Sequence, residues 1–178
     1  MIFRKAVKSD VPKAFGIYEK ILDEEEKGNV SIGWKRGVYP TEATASNAFD
    51  CGELYVLEND EKKVVASGII NNRQPDGYGK GSWKRGAKES EVLVLHTLTV
   101  DPSESGKGYG KSFVRFYEEL AGGSGIIDLR LDTNAKNTRA RKMYASLGYK
   151  EVGMVPVVFN GIDGVNLVLL EKELPQSV

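Results

Sequence analysis

The stretch TVDPSESGKGYGKS, residues 99–112, joins an apolar run to a helical pattern through glycines at positions 106, 108 and 110. Glycine at alternate positions allows a backbone to come very close to another group. Successive backbone N–H groups at the start of a helix also form a site for an anion such as phosphate. The stretch therefore predicts a phosphate-binding loop between a strand and a helix.

Three kinds of phosphate site can be compared with this loop. A P-loop fits the run GKS at 110–112, but it requires glycine where Ser105 stands, and Asp132 is poorly placed as its magnesium ligand. A dinucleotide fingerprint needs a third glycine where Lys111 stands. The third interpretation is a cradle for the pyrophosphate of coenzyme A, in which Lys107 and Lys111 add positive charge. The P-loop and the fingerprint are the weaker matches.

Composition limits the partners and the compartment. The 178 residues carry 25 basic and 25 acidic side chains, so bulk charge does not favour nucleic acid or an anionic membrane as a partner. Cys51 is the only cysteine, which rules out an intrachain disulfide and fits the cytoplasm. With one histidine and one cysteine we expect no metal site. We expect one domain over residues 1–174 and a C-terminal tail at 175–178, with no signal peptide.

Hydrophobic periodicity predicts the order β-α-α-β-β-β-α-β-α-β-β. The run EVLVLHTLTV at 91–100 is the strongest strand, and its apolar density indicates burial on both faces. The run IIDLRLD at 126–132 follows after a helix, which implies one parallel pair, whereas the hairpins imply antiparallel neighbours. The fold class is therefore mixed α/β, with a twisted, mostly antiparallel sheet of six or seven strands flanked by about four helices.

Two segments, LTVDPSESGKGYG and the later NTRARKMYASLGY, together resemble the GCN5-related N-acetyltransferase (GNAT) family. The resemblance covers the element order of nearly the whole chain. Ser105 departs from the family pattern, where Arg or Gln is usual, and Tyr149 replaces the usual Phe. The positions that match the two motifs are Val100, Pro102, Gly108 and Gly110, then Asn137, Ala140, Tyr144, Gly148 and Tyr149.

The resemblance implies a fold whose central parallel strands splay apart, and acetyl-CoA as cosubstrate in the gap. Splaying leaves backbone groups free to pair with the pantetheine arm, and one N–H group could polarise the thioester carbonyl. The implied reaction is direct attack of a primary amine, on a small molecule or a peptide, within a ternary complex. The residues implied to bind the cosubstrate are Leu98, Thr99, Val100, Ser105, Gly106, Lys107, Gly108, Tyr109, Gly110, Lys111 and Asn137.

The catalytic candidates are Tyr144 and His96. Resemblance assigns to Tyr144 the proton needed by the leaving thiolate, whereas periodicity alone favours a core aromatic. An alkylammonium acceptor also requires a base, and His96 lies where many family members carry an acidic residue. The alternative for His96 is a satisfied histidine within a strand. Glu91 and Asp101 are weaker base candidates, and we expect Asp101 to shape the turn before the glycine loop.

Two loops are candidates for the acceptor pocket, because loops on a rigid scaffold often carry specificity. The loop at 28–40 contains Trp34 and Tyr39, whose alternative role is core filling. The loop at 71–90 has almost no apolar residues besides Tyr78 and Trp83, so we expect no buried element there: it is functional, disordered or a protruding hairpin. The rival functions are a non-catalytic acyl-CoA-binding or regulatory module and, more distantly, a P-loop NTPase. Homodimers are common in the family.

Overall fold

The computed structural model describes residues 1–175, so most of the predicted tail, 176–178, lies outside the described residues. The predicted order of strands and helices is confirmed. The strands are β1 (Ile2–Lys5), β2 (Leu54–Glu58), β3 (Val64–Asn71), β4 (Val92–Val100), β5 (Asp128–Asn134), β6 (Lys150–Phe159) and β7 (Ile162–Glu173). The helices are α1 (Val11–Glu26), α2 (Glu42–Asp50), α3 (Tyr109–Ala121) and α4 (Thr138–Ser146).

The seven strands form one sheet in the order β1-β2-β3-β4-β5-β7-β6. Every neighbouring pair is antiparallel except β4 and β5, which are parallel and connected through α3. The predicted mixed α/β class, with a mostly antiparallel sheet and one parallel pair, is therefore confirmed. Within residues 1–175, no helix has the length and apolar character needed to cross a membrane.

Strand β4 is buried on both faces, as its sequence predicts. Leu93 and Leu95 belong to the cluster that packs against α3, while Val92 and Val94 belong to the cluster on the opposite face. This alternation follows from the two-residue period of a strand, which sends successive side chains to opposite faces. The side chains of β5 alternate in the same way, so its residues 128, 130 and 132 lie on the face opposite α3.

The two parallel strands separate after a short paired segment. Their register runs from Val92 opposite Asp128 to Leu95 opposite Leu131, and beyond this point β4 pairs only with β3. The register with β3 shifts at this place, and Thr97 has a φ of 50°. Positive φ is unusual for a β-branched residue, and an irregularity of this kind bends a strand away from its neighbour. The bend opens a gap between β4 and β5.

The segment 71–90, which we call the capping loop, differs from expectation, because it holds two anchored aromatic residues. Tyr78 is only 2% exposed and packs against β4, β6 and β7. Trp83 donates from its indole N–H to the Tyr78 carbonyl at 2.6 Å, and the Arg130 guanidinium lies 4.0 Å from the Trp83 ring centroid. Apart from Tyr78 no residue of the segment is buried, as expected, and two aromatic anchors with a cation–π contact hold the loop in place of aliphatic residues.

The closing hairpin brings β6 and β7 back towards the gap. Its turn residues, Asn160 and Gly161, have φ values of 48° and 84°, which is typical of a two-residue hairpin turn. The register pairs Phe159 with Ile162 across this turn. The turn therefore places the Phe159 ring beside the loop at 28–40, against Tyr39.

Candidate active site

The gap between β4 and β5 is the floor of a cleft of about 780 Å³. Its walls come from the end of β4, the glycine loop, the first turns of α3 and α4, the loop at 28–40 and the inner face of β7. A cleft at the carboxyl ends of diverging strands exposes backbone groups that a closed sheet would pair. Most of the site residues expected from the sequence line this cleft: Trp34, Tyr39, Leu98, Thr99, Val100, Ser105, Gly106, Gly108, Tyr109, Gly110, Lys111, Asn137 and Tyr144.

The glycine loop presents a row of free backbone N–H groups. Gly106 and Gly108 have φ values of 83° and 82°, which L side chains rarely adopt, and α3 begins at Tyr109 directly after them. Among the described residues, none accepts a hydrogen bond from the backbone N–H groups of residues 106–111. Free N–H groups at the positive end of a helix form an anion site, so this loop suits a phosphate or pyrophosphate.

Gly110 contributes in a different way from Gly106 and Gly108. It lies within α3, and a Cβ atom there would come within 3.1 Å of the Met143 Sδ. The absence of a side chain lets the first turn of α3 approach α4. Two of the three alternating glycines therefore shape the loop, and the third allows two helices to pack.

The positive charge at this loop comes partly from a residue that the sequence analysis missed. Arg139, in the first turn of α4, donates from Nη2 to the Ser105 hydroxyl at 2.7 Å, and both residues line the cleft. Lys107 is outside the lining and pairs with Glu104 at 2.7 Å. The Arg139 guanidinium thus lies beside Ser105, the position at which the GNAT pattern usually has Arg or Gln. The available signal was that Arg139 lies two residues after Asn137 in the second motif.

The backbone of residues 98–100 faces the gap. These residues line the cleft and have no pairing with β5. The Thr99 side chain turns away and is anchored by the Ser67 hydroxyl at 2.7 Å. The end of β4 therefore offers backbone groups, held in place from behind, to an extended ligand in the gap.

Asn137 ends the loop that leads into α4. Its Oδ1 accepts a hydrogen bond from the Ala140 N–H at 3.1 Å, so it caps the helix as its type and position indicate. It also lines the cleft. Capping fixes the orientation of α4, and this brings Tyr144 to the cleft on the next two turns of the helix.

Tyr144 combines a core position with access to the cleft. Its side chain is 5% exposed and packs in the same cluster as Phe113 and Leu131. Within residues 1–175, its hydroxyl makes no hydrogen bond, and it is not among the fully buried unpaired atoms. Burial raises the pKa of Tyr144, with Asp132 adding to the effect. The hydroxyl is therefore protonated at neutral pH and free to donate into the cleft.

Aromatic rings form the wall of the cleft opposite the glycine loop. The Tyr39 ring contacts Trp34 and Phe159 edge to face, at centroid distances of 5.9 and 5.4 Å. The Tyr39 hydroxyl hydrogen-bonds to the Thr97 side chain, and burial raises the pKa of Tyr39 to about 12. Gly33 lies close to the Asn134 amide, where any side chain would collide at 2.3 Å. The loop at 28–40 thus reaches across to the end of β5 and narrows this end of the cleft.

The structure does not bring His96 into the cleft lining. Its Nε2 lies 3.0 Å from the Asn71 Oδ1, and burial lowers the pKa of His96 to about 4. Glu91 lies at the opposite end of β4, where its carboxylate accepts from the Lys88 N–H. Asp101 accepts from the Ser103 N–H at 3.0 Å, so it shapes the turn before the glycine loop, as expected.

Asp132, which the sequence suggested only as a poorly placed magnesium ligand of a P-loop, stands on the floor of the cleft. Its Oδ2 accepts a hydrogen bond from the Tyr78 hydroxyl at 2.9 Å. Burial raises the pKa of Asp132 to about 6, although the hydrogen bond from Tyr78 lowers it. Tyr78 is in addition the contact between the capping loop and the site, since the loop itself does not line the cleft.

The sequence profile of the Acetyltransferase (GNAT) family matches residues 17–149. Among curated proteins, an 88-residue segment is 35% identical to N-acetylaspartate synthetase of Xenopus tropicalis, covering 49% of this chain and 32% of that protein. A 114-residue segment is 29% identical to N-acetyltransferase 8B of Homo sapiens, covering 64% of this chain and 45% of that one. The matches thus span less than half the length of these relatives.

Solved structures share the fold over nearly the whole chain. A GNAT family acetyltransferase from Streptococcus agalactiae 2603 superposes with a TM-score of 0.81 at 22% identity, covering 98% of this chain and 96% of that one. The yncA protein from Salmonella typhimurium, solved with its cofactor acetyl-CoA, has a TM-score of 0.69 at 18% identity, covering 100% of this chain and 96% of that one. At these identities the likeness shows the fold alone.

Proposed function

Because this chain belongs to the acetyltransferase (GNAT) family, we propose that it transfers an acetyl group from acetyl-CoA to a primary amine of a small molecule or peptide. The observation that carries the proposal is the combination of two free sets of backbone groups in one cleft. The N–H groups of residues 106–111 suit a pyrophosphate, and the end of β4, which has no partner on its β5 side, suits an extended amide-containing arm. Coenzyme A contains both.

The residues present fit acetyl-CoA, which supplies the acetyl group as a thioester. The loop is open to a ligand at Gly106 and Gly108, since no atom beyond their chain neighbours lies within 4 Å of a Cβ position there. Arg139 and Lys111 line the cleft next to this loop and balance negative charge there. In this proposal a backbone N–H in residues 98–100 polarises the thioester carbonyl, and the Tyr144 hydroxyl protonates the departing sulfur.

The acceptor occupies the other end of the cleft. Trp34 and Tyr39, together with Phe159, give this end an aromatic wall, which favours an amine that carries apolar groups. An ammonium group on such an acceptor is also attracted to the faces of aromatic rings. We further propose that residues 1–174 act as one domain in the cytoplasm, where the exposed thiol of Cys51 stays reduced.

A second candidate function is a binding module that holds acyl-CoA without turning it over. It is favoured by the position of His96, which leaves the sequence-based choice of base outside the cleft lining. The two candidates share the binding site and differ only in chemistry, so they need separate measurements.

Titration calorimetry with acetyl-CoA and, separately, with ATP and Mg²⁺ tests the binding site. We expect binding of acetyl-CoA and none of ATP; the reverse result would contradict the proposal and revive the P-loop interpretation. Thiol release from acetyl-CoA is then measured with 2-phenylethylamine, spermidine and a tripeptide with a free N-terminus. Thiol release that depends on the amine supports the enzyme. Acetyl-CoA binding with no thiol release in the presence of any of the three amines supports the binding module.

A further inference from the structure

One carboxylate stands where the two parallel strands separate. Asp132 follows Leu131, the last residue of β5 that pairs with β4, so it occupies the first position on β5 that faces the open gap. It lines the same cleft as Leu98 and Tyr144. An acceptor amine that attacks a thioester held along residues 98–100 must approach this part of the cleft.

Asp132 differs from the other acidic residues of the cleft in its lack of a cationic partner. Four carboxylates of the described chain line the cleft, and three of them take part in salt bridges. Those pairs are Glu24 with Lys27 at 3.0 Å, Asp101 with Lys20 at 2.7 Å and Glu104 with Lys63 at 2.7 Å. Asp132 has no such pair within residues 1–175, so its charge is available to a cationic ligand.

The capping loop holds one oxygen of Asp132 and leaves the other free. The Tyr78 hydroxyl donates to Oδ2, and Tyr78 itself is fixed by burial and by the Trp83 indole N–H on its carbonyl. Among the described residues, Oδ1 has no hydrogen-bond partner, and it is not among the fully buried unpaired atoms. A carboxylate held on one oxygen and open on the other is prepared to accept a proton.

The groups around Asp132 are phenols on three different elements. Tyr78 from the capping loop, Tyr39 from the loop at 28–40 and Tyr144 from α4 each feel the charge of Asp132, which contributes to their raised pKa values. All three are neutral at physiological pH. Arg130, two residues earlier on the same face of β5, is paired with Asp128 at 2.7 Å. Nothing in this set supplies a full positive charge to Asp132.

We propose that Asp132 is the catalytic base that takes a proton from the ammonium group of the acceptor, and that Tyr78 is a positioning residue that holds Asp132 for this task. The inference rests on the proposed acetyltransferase function and extends it to the base. It gives the capping loop a role in the reaction, although no residue of that loop lines the cleft.

In each turnover the acceptor nitrogen loses two protons and the leaving sulfur gains one. The ammonium form of the acceptor loses one proton to Asp132, and its nitrogen then forms the new bond to the carbonyl carbon. The carbon–sulfur bond breaks, and the sulfur takes a proton from Tyr144. The nitrogen loses its second proton, which replaces the one given up by Tyr144. Asp132 returns its proton to solvent through the cleft, so each turnover releases one proton.

Carbon-13 NMR titration of the free protein tests the base without any turnover. With Asp132→Asn used to assign the signal, we expect the Asp132 carboxyl to titrate near pH 6, and to titrate at higher pH in Tyr78→Phe because the stabilising hydrogen bond is lost. Tyr117→Phe is the matched control, since it removes a buried tyrosine hydrogen bond to the Leu93 carbonyl on the opposite face. Titration near the ordinary aspartate value, or no shift in Tyr78→Phe, would overturn the proposal.

The pH dependence of kcat/KM, measured with the panel amine that the wild type turns over fastest, is the second test. Asp132→Asn should lower kcat/KM at least 100-fold and abolish the acidic limb, with acetyl-CoA affinity unchanged, and Tyr78→Phe should move that limb to higher pH. Asp76→Asn, an exposed charge change in the same loop, should behave as wild type. An Asp132→Asn enzyme with a raised KM but an intact acidic limb would show that Asp132 only attracts the ammonium group.

Thiol release reports on the proposed function, and the NMR titration reports on Asp132. Suppose that the wild type releases no thiol with any of the amines, while the NMR titration gives a pKa near 6. The acetyltransferase proposal then fails, and the assignment of Asp132 as a base fails with it. If the wild type is active and the carboxyl titrates near its ordinary value, the acetyltransferase proposal stands and only the base is wrong.

Discussion

At the scale of single residues, Tyr144 combines a core position with access to the cleft. Helical periodicity places it on the buried face of α4, and it does pack in the main core cluster. The same side chain is long enough for its hydroxyl to reach the cleft, where the structure gives it no partner within residues 1–175. The two interpretations of this residue drawn from the sequence therefore do not exclude each other.

Replacing Tyr144 with Phe should lower kcat about 10- to 100-fold while acetyl-CoA affinity stays within about twofold, because only a proton donor is removed. Thiol-release assays measure kcat, and calorimetry measures the affinity for acetyl-CoA. Tyr55→Phe serves as control, since this tyrosine is also buried but stacks on Phe3 away from the cleft. An unchanged kcat in Tyr144→Phe would exclude the hydroxyl as the acid.

The sequence predicted cleft residues whose position depends on the backbone of their own segment. It did not predict those whose position depends on where β4 and β5 separate. Gly106, Gly108 and Asn137 act through the backbone conformation of their own segments, which short motifs report. Asp132 reaches the cleft only because the pairing of β5 with β4 stops at Leu131, and its partner is 54 residues away in the sequence. No local pattern carries that information.

At the scale of elements, the glycine loop and α3 form one unit in which neighbouring glycines have different functions. Gly108 supplies a left-handed conformation just before the helix, and Gly110 supplies clearance inside it. The first affects the orientation of the free N–H groups, whereas the second affects the distance between α3 and α4. Substitution by alanine can separate the two.

Gly108→Ala should lower the free energy of unfolding by about 1–2 kcal/mol and weaken acetyl-CoA binding, because alanine is strained at a φ of 82°. Gly110→Ala should be closer to neutral in stability, since the helix propensity of alanine, about 1 kcal/mol better than glycine, offsets the displaced end of Met143. Urea unfolding and calorimetry on both variants check this. The reverse ranking of the two stabilities would contradict it.

The capping loop is a second element whose stability comes from few contacts. Trp83→Ala should lower the free energy of unfolding by about 2 kcal/mol, because it removes a half-buried ring and its cation–π contact with Arg130. Lys80→Ala, on an exposed side chain of the same loop, should change it by less than about 0.5 kcal/mol. Equal effects of the two substitutions in urea unfolding would mean that the ring does not anchor the loop.

At the scale of the whole molecule, the element order followed from periodicity, whereas the placement of the capping loop did not. The order was predictable because each strand and helix has its own apolar pattern, and the single β-loop-α-β crossover defines the parallel pair. The segment 71–90 lacks such a pattern. Its position over β4, β5 and β7 depends on Tyr78, Trp83 and a buried Arg130, which become neighbours only in the assembled sheet.

The half-buried carboxylate of Asp132 on the cleft floor also affects how the protein's stability varies with pH. Asp132 has a pKa of about 6 when folded, against 3.8 ordinarily, so between these values the folded protein binds more protons than the unfolded chain. Below pH 3.8 the ionisation of Asp132 does not change the free energy of unfolding. As the pH rises it lowers this free energy, and the full loss is reached above about pH 6. Asp101, whose pKa is lowered to about 2 by Lys20 and Ser103 against the effect of burial, acts in the opposite direction at lower pH.

Asp132→Asn should therefore stabilise the protein by about 1–3 kcal/mol at pH 7.5 and by much less at pH 4, as measured by urea unfolding at the two values. An equal change in the free energy of unfolding at both pH values would contradict a raised pKa of Asp132 in the folded protein. An ionised aspartate at this position therefore lowers the free energy of unfolding at neutral pH, and this loss of stability accompanies a titratable carboxylate on the cleft floor.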